Sequence, residues 1–113
     1  MNELNQYAKF LALKDKVDHS KFQLNVDLTA IKLLEAIAIH DAKNSTLTVG
    51  ETMQLKTLGS AATIHRKIDE LFNNELIELK FLGTNRRKKY LVPSKKTIAY
   101  FAMLSELMFK TAR

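Results

Sequence analysis

Apolar residues recur at helical spacing over most of the chain and alternate only near residue 80. From about Glu3 to Val17, Leu4, Tyr7, Ala8 and Leu11 fall on one side of a helix, and Phe10, Leu13 and Val17 form a second stripe. Polar residues from Asp18 to Gln23 close it. A second helix is predicted from about Leu28 to Lys43, with Leu28, Ile31, Leu34, Ile37 and Ala38 as its core stripe and Leu33 and Ile39 widening it. Asp27 or Thr29 caps its start by accepting a backbone N–H. After the polar turn from Asp41 to Ser45, Leu47 to Val49 reads as a short strand and Gly50 to Lys56 as a short helix with Met53 in the core. Thr57-Leu58-Gly59-Ser60 is a tight turn, since Gly59 takes a positive φ at no steric cost and Ser60 caps the next helix. That helix runs to about Asn74, with Ile64, Ile68, Leu71 and Phe72 inward and Ala61, Ala62, Thr63, His65 and Arg66 outward.

Beyond it, Glu75 to Leu82 alternates, with Ile77, Leu79 and Phe81 on one strand face. Gly83 and Asn85 suit a tight loop. Tyr90 and Val92 form a return strand, which Pro93 ends for want of an N–H. The last helix starts near Ser94. Ile98, Tyr100, Phe101, Met103, Leu104, Leu107, Met108 and Phe109 make it apolar nearly all round. Such a helix must be buried on every side, and a chain of 113 residues has little to bury it in. A second subunit is the natural solution.

The order of strand, helix, turn, helix and hairpin describes a winged helix-turn-helix, mainly α with a small β-hairpin wing (an α+β arrangement). One domain is expected over residues 1–113, with the N-terminal helix (about 3–17) and the C-terminal helix (about 94–112) as dimerisation elements. The 46% hydrophobic content is that of a folded chain. No apolar run approaches the roughly 18 residues of a membrane helix. The polar start, Met1-Asn2-Glu3-Leu4-Asn5-Gln6, is unlike a signal peptide. Without Cys there are no disulfides, thiolate metal sites or cysteine redox chemistry. A cytoplasmic protein is expected.

Charge sharpens the picture by position more than by its formal sum of +6. Lys80, Arg86, Arg87, Lys88, Lys89, Lys95 and Lys96 occupy a window with no acidic residue, while the other eleven basic residues face twelve acidic ones. A localised basic patch beside a helix-turn-helix is a polyanion footprint. The candidate DNA-binding residues are Ser60, Ala61, Ala62, Thr63, His65, Arg66 and Lys67 on the second motif helix, and Thr84, Asn85, Arg86, Arg87, Lys88 and Lys89 on the wing. Arg66 can bridge guanine O6 and N7, and Thr63 can meet a thymine methyl. Small Ala61 and Ala62 allow close approach, and the capping Ser60 can donate to a phosphate. The wing cations suit phosphates or a narrow minor groove. Strand alternation would put Arg87 and Lys89 on one side and Lys88 opposite. The candidate dimer residues are Leu4, Tyr7, Leu11, Phe101, Leu104, Leu107 and Met108.

From Leu28 to Phe101 the chain resembles the MarR family of bacterial winged-helix transcription regulators. Leu28-Thr29 is similar to the family's start of its core helix, and Leu47-Thr48-Val49-Gly50-Glu51 to its strand and first motif helix. Ser60-Ala61-Ala62-Thr63-Ile64-His65-Arg66 resembles its Ser-x-x-Thr-(apolar)-x-Arg recognition helix. Asn74-Glu75-Leu76-Ile77 looks like its turn into the wing, and Asn85-Arg86-Arg87 stands where it usually has Asp-x-Arg. Asn85 thus replaces a carboxylate, Gly59 directly precedes Ser60 where the family often has an apolar residue, Val92-Pro93-Ser94 replaces Leu-Thr, and one helix follows the wing where the family has two. The resemblance implies a homodimer resting on the first and last helices and bound to double-stranded DNA. It also implies a possible small aromatic ligand near Tyr7, Phe10, His40, Tyr100 and Phe101, although aromatics at helical spacing usually just pack.

Other chemistry finds little footing. His65 and Asp69 lie four apart on one helix face, a spacing that suits a surface pair better than a metal, and no metal or other cofactor is expected. No phosphate loop, nucleophile elbow or paired catalytic carboxylates occur, so an enzyme is not expected. The sequence points to a sequence-specific DNA-binding regulator acting as a homodimer on a pseudo-palindromic site. The alternatives are a winged-helix protein-interaction module or a non-specific architectural or replication accessory DNA-binding protein.

Overall fold

Asp27 fixes where the second helix begins: its Oδ1 accepts the Ala30 N–H at 2.9 Å, and the backbone turns helical at Leu28. In the computed structural model, which describes residues 3–20, 23–84 and 86–112, the order is α1 (Glu3–Asp18), α2 (Leu28–Ala42), α3 (Val49–Thr52), a 3₁₀ turn (Lys56–Leu58), α4 (Ala61–Asn73), β1 (Ile77–Lys80), β2 (Tyr90–Pro93) and α5 (Lys95–Ala112). Within the chain these fall into two compact units, residues Val26–Thr97 and residues Met1–Asn25 with Ile98–Arg113.

The first of these is the winged helix. Its core is Ala30, Leu33, Leu34 and Ile37 of α2, Ile64, Ile68 and Leu71 of α4, and Leu47, Leu76, Ile77, Leu91 and Val92 around the hairpin. The α2 stripe is rotated from the one expected. Leu28 and Ile39 are exposed, and Leu33 takes a central place, because Leu28 is the first residue after the cap and points off the core. No strand forms over 47–49. Thr48 makes a single bridge to Tyr90, and its side chain is spent on the start of α3 instead. Thr48 Oγ1 accepts the Glu51 N–H at 3.1 Å, and Glu51 Oε1 accepts the Thr48 N–H at 2.9 Å, a reciprocal capping box. The core residue of α3 is Thr52, not Met53. Thr52 is fully buried, with its hydroxyl donating to the Thr48 carbonyl at 2.7 Å, while Met53 is half-buried.

Two helices end alike without glycine. At the end of α4, Glu75 (φ 59°) donates to the Phe72 carbonyl and Leu76 to the Leu71 carbonyl, both at 2.9 Å. At the end of α2, Asn44 (φ 59°) donates to Asp41 and Ser45 to His40. In each case one left-handed residue reverses the chain and satisfies two carbonyls that the helix leaves over. Buried Leu71 and Leu76 close the α4 end with an apolar contact position.

The wing is a two-stranded antiparallel sheet with Ile77 opposite Pro93 and Lys80 opposite Tyr90. Only Ile77 of β1 is buried. Leu79 and Phe81, which share the alternation with buried Ile77, are each 41% exposed, so the buried face of the strand ends after its first residue. Pro93 is the last strand residue. Ser94 then donates its N–H to the Leu76 carbonyl at 3.0 Å and caps α5 by accepting the Thr97 N–H.

In the other unit, α1 sorts its two stripes. Phe10, Leu13 and Val17 are half-buried, while Leu4, Tyr7, Ala8 and Leu11 are exposed. On α5, Tyr100 and Leu107 are buried, and Ile98, Met108 and Phe109 stand out in solvent at 57–72%. The Tyr100 hydroxyl and the Lys14 ammonium both donate to the Asp18 carboxylate. Burial pushes that carboxyl up, but the hydrogen bonds from Lys14 and Tyr100 and the Lys14 charge outweigh it, so it lies below its ordinary range. Among the described residues no helix is long and apolar enough to cross a membrane.

Candidate nucleic-acid interface

Gly59 shapes the approach to α4. Its φ of 132° is open to glycine alone, and a Cβ there would meet Thr63 Cγ2 at 3.3 Å. The chain therefore turns tightly enough for Ser60 to cap α4, its Oγ accepting the Thr63 N–H at 3.2 Å. Ser60 also donates to Thr63 Oγ1 at 3.0 Å, and Arg66 Nη2 donates to the same oxygen at 3.3 Å. Ser60, Thr63 and Arg66 thus form one hydrogen-bonded row along the first turns of the helix. Ile64, Ile68 and Leu71 pin the opposite face into the core. Ala61, Ala62, His65 and Arg66 are exposed and Thr63 is half-exposed. His65 pairs with Asp69 at 3.5 Å.

Lys67 behaves differently from its neighbours. Its ammonium donates to Asp27 Oδ2, and to Glu70 Oε2 at 3.0 Å. These bonds raise the Lys67 pKa, the Asp27 contact most, and the Lys67 bond is the chief cause that holds Asp27 below the usual carboxylate range. Glu70, three residues ahead on the same helix, is a locally legible partner, whereas Asp27 lies 40 residues away along the chain and is not.

On the wing, Thr84, Arg86, Arg87, Lys88 and Lys89 are all exposed, and Asn85 lies outside the described residues. Gly83 (φ 69°) makes the turn. The Arg86 guanidinium lies 5.5 Å from the centre of the Phe81 ring, a cation–π contact that gives an exposed Phe a purpose. The expected alternation of the cations does not occur, because the extended strand begins only at Tyr90 and residues 86–87 are still in the turn. Arg87, Lys88 and Lys89 instead line one hollow of about 840 Å³ together with Thr48, Glu51 and Tyr90. Glu51 stays ionised below its usual range, chiefly through the Thr48 backbone N–H, with Lys88 adding a smaller attraction. The Thr48-x-x-Glu51 spacing was the available signal for this corner.

Of the dimer candidates, Leu4 (72% exposed), Tyr7, Leu11 and Met108 lie on the surface, Phe101 and Leu104 are half-buried, and Leu107 is buried. The aromatic candidates divide. Tyr7 and Phe10 stack at 6.5 Å and line a hollow of about 340 Å³ with Met108 and Thr111, Tyr100 and Phe101 lie 5.9 Å apart in the same unit, and His40 belongs to the winged-helix unit.

No family model matches the chain, and no curated protein matches it in sequence. Solved structures do match. The chain is similar to S. aureus MepR in a DNA complex, at 14% identity and a TM-score of 0.63 over 97% of this chain and 85% of that one. It is similar to Streptococcus pneumoniae FabT in complex with DNA, at 14% identity and a TM-score of 0.60 over 96% of this chain and 76% of the other. It is also similar to AbsC, a MarR family transcriptional regulator from Streptomyces coelicolor, at 11% identity and a TM-score of 0.54 over 97% and 70%. The likeness is one of architecture: the chain has the winged-helix fold of the MarR-family regulators.

Proposed function

We propose that the protein is a DNA-binding transcriptional regulator that acts as a homodimer on a pseudo-palindromic site. One observation carries the reading. Helix α4 keeps an exposed face of small and hydrogen-bonding residues, from Ser60 to Arg66, and the same unit carries a wing whose described cations are all exposed. The fold shared with MepR and FabT, both solved with DNA, supports it. In this reading α4 enters the major groove, with Ala61 and Ala62 permitting close approach and Thr63, His65 and Arg66 reaching base edges. Arg86, Arg87, Lys88 and Lys89 hold the phosphate backbone. Two-fold symmetry in the protein asks for two-fold symmetry in the site. The exposed apolar residues of α1 and α5 are the surface for the second copy.

The test is an anisotropy titration against random and selected duplexes at several salt concentrations. Neutralising all four wing cations should weaken binding to every duplex and flatten the salt dependence by about 0.9 log units for each phosphate no longer neutralised. If affinity and salt dependence both survive, the wing does not touch DNA, and a protein-binding role for the module is the better reading.

A further inference from the structure

Lys67 sits beside Arg66 on α4, yet its charge is already committed. Its side chain is only 21% exposed, and its ammonium bridges the carboxylates of Asp27 and Glu70. Asp27 divides its own carboxylate between two helices. Oδ1 holds the Ala30 N–H at the start of α2, and Oδ2 holds Lys67 in the middle of α4. The bond is therefore a strut between the start of α2 and the middle of α4, beside the buried stripe of Ile64, Ile68 and Leu71. A helix packed only through an apolar stripe can still roll by a few degrees about its axis. A charged strut off to one side of the stripe resists that roll. With two carboxylates around it, the ammonium carries no surplus charge to a phosphate.

We infer that Lys67 is a positioning residue that, through Asp27, fixes the rotation of α4 and so the aim of Thr63, His65 and Arg66, and that it does not contact DNA itself. The inference rests on the DNA-binding reading for its functional consequence, but the strut can be tested without DNA.

Four variants separate the outcomes: Lys67→Gln, Asp27→Asn, the double variant and Lys67→Arg. Asn caps a helix about as well as Asp, so Asp27→Asn removes the strut's charge and leaves α2 capped. The probes are a duplex selected from a random pool by the wild-type chain and a scrambled duplex of the same composition. Lys67→Gln and Asp27→Asn should each weaken binding to the selected duplex about threefold or more, and the double variant should be no worse than either, as coupled partners behave. Binding to the scrambled duplex and the salt slope should stay unchanged, and Lys67→Arg, whose fork spans both carboxylates, should restore discrimination. A simple loss of stability would lower the active fraction on both duplexes alike and leave their ratio unmoved. The inference is overturned if Lys67→Gln weakens both duplexes equally and lowers the salt slope by about one unit while Asp27→Asn changes nothing, since that is the signature of a phosphate contact. If the wild-type chain selects no duplex, the DNA-binding reading fails, and amide exchange in the free protein still decides the strut. Equal acceleration along α4 in both single variants and the double supports it, and no acceleration in the singles overturns it.

Discussion

At the scale of single residues, Arg66 and Asp18 carry the sharpest expectations. Arg66 is exposed at the end of the Ser60–Thr63–Arg66 row, and Thr63 Oγ1 already orients its guanidinium. Arg66→Ala should cost about 1–3 kcal/mol on the preferred duplex and relax specificity at one base position, measured by titrating duplexes changed one base at a time. Equal losses on all of them would assign Arg66 to the backbone. Asp18 is half-buried between Lys14 and Tyr100, and its folded pKa is depressed from the ordinary value near 3.8. A depressed carboxylate contributes stability that is fully present above its unfolded pKa and is lost as the pH falls through the folded value. Asp18→Asn should therefore lower the melting temperature at pH 7, and the gap to wild type should close as the pH drops below about 4. A gap that does not change with pH would mean that the hydrogen bonds matter and the charge does not.

Among the elements, the turn ahead of α4 is the most sensitive joint. Gly59→Ala forces a side chain into a glycine-only backbone region and against Thr63, so it should cost about 1–3 kcal/mol in chemical unfolding. Gly50→Ala, with open space around its Cβ position, is the control. This joint was plain in the sequence, as were the inner stripe of α4, the cap at Ser60 and the basic wing. They are local signals, with each residue's task set by neighbours within a turn or two. The failures share a different cause. Leu28 and Ile39 fit the helical period of α2 but face away from the core, and period alone cannot say where a stripe ends. Leu47 to Val49 has the composition of a strand, but Thr48 is worth more as the cap of α3. Cation alternation on the wing assumed an extended chain where the loop still turns. The Lys67 strut needs two residues that only the fold brings together. Local chemistry was legible, and tertiary arbitration between two local options was not.

For the whole molecule, assembly is the question that the surface poses most directly. Leu4, Tyr7, Leu11, Met108 and Phe109 leave large apolar area in water on one unit. Sedimentation at micromolar concentration should give twice the 12.9 kDa chain mass, and a persistent monomer would end the dimer proposal. The choice of probe matters. Leu107→Glu buries an unpaired charge inside the chain and should unfold the unit, whereas Met108→Glu lies on the surface and should release monomers that remain folded by circular dichroism. The left-handed residue that ends α4 also bears on the molecule's room to improve. Glutamate at φ 59° occupies a conformation that costs an ordinary L-residue about 1–2 kcal/mol, and glycine would hold it with almost no strain. Glycine gives back part of that gain through a more flexible unfolded chain, so Glu75→Gly should raise stability by about 0.5–1 kcal/mol in denaturant titrations. The two turn bonds to Leu71 and Phe72 would be kept, because they use only backbone atoms. A gain of that size would mean that the protein folds short of its own optimum at a solvent-facing position, a reserve that an engineer could draw on before touching the helix face or the wing.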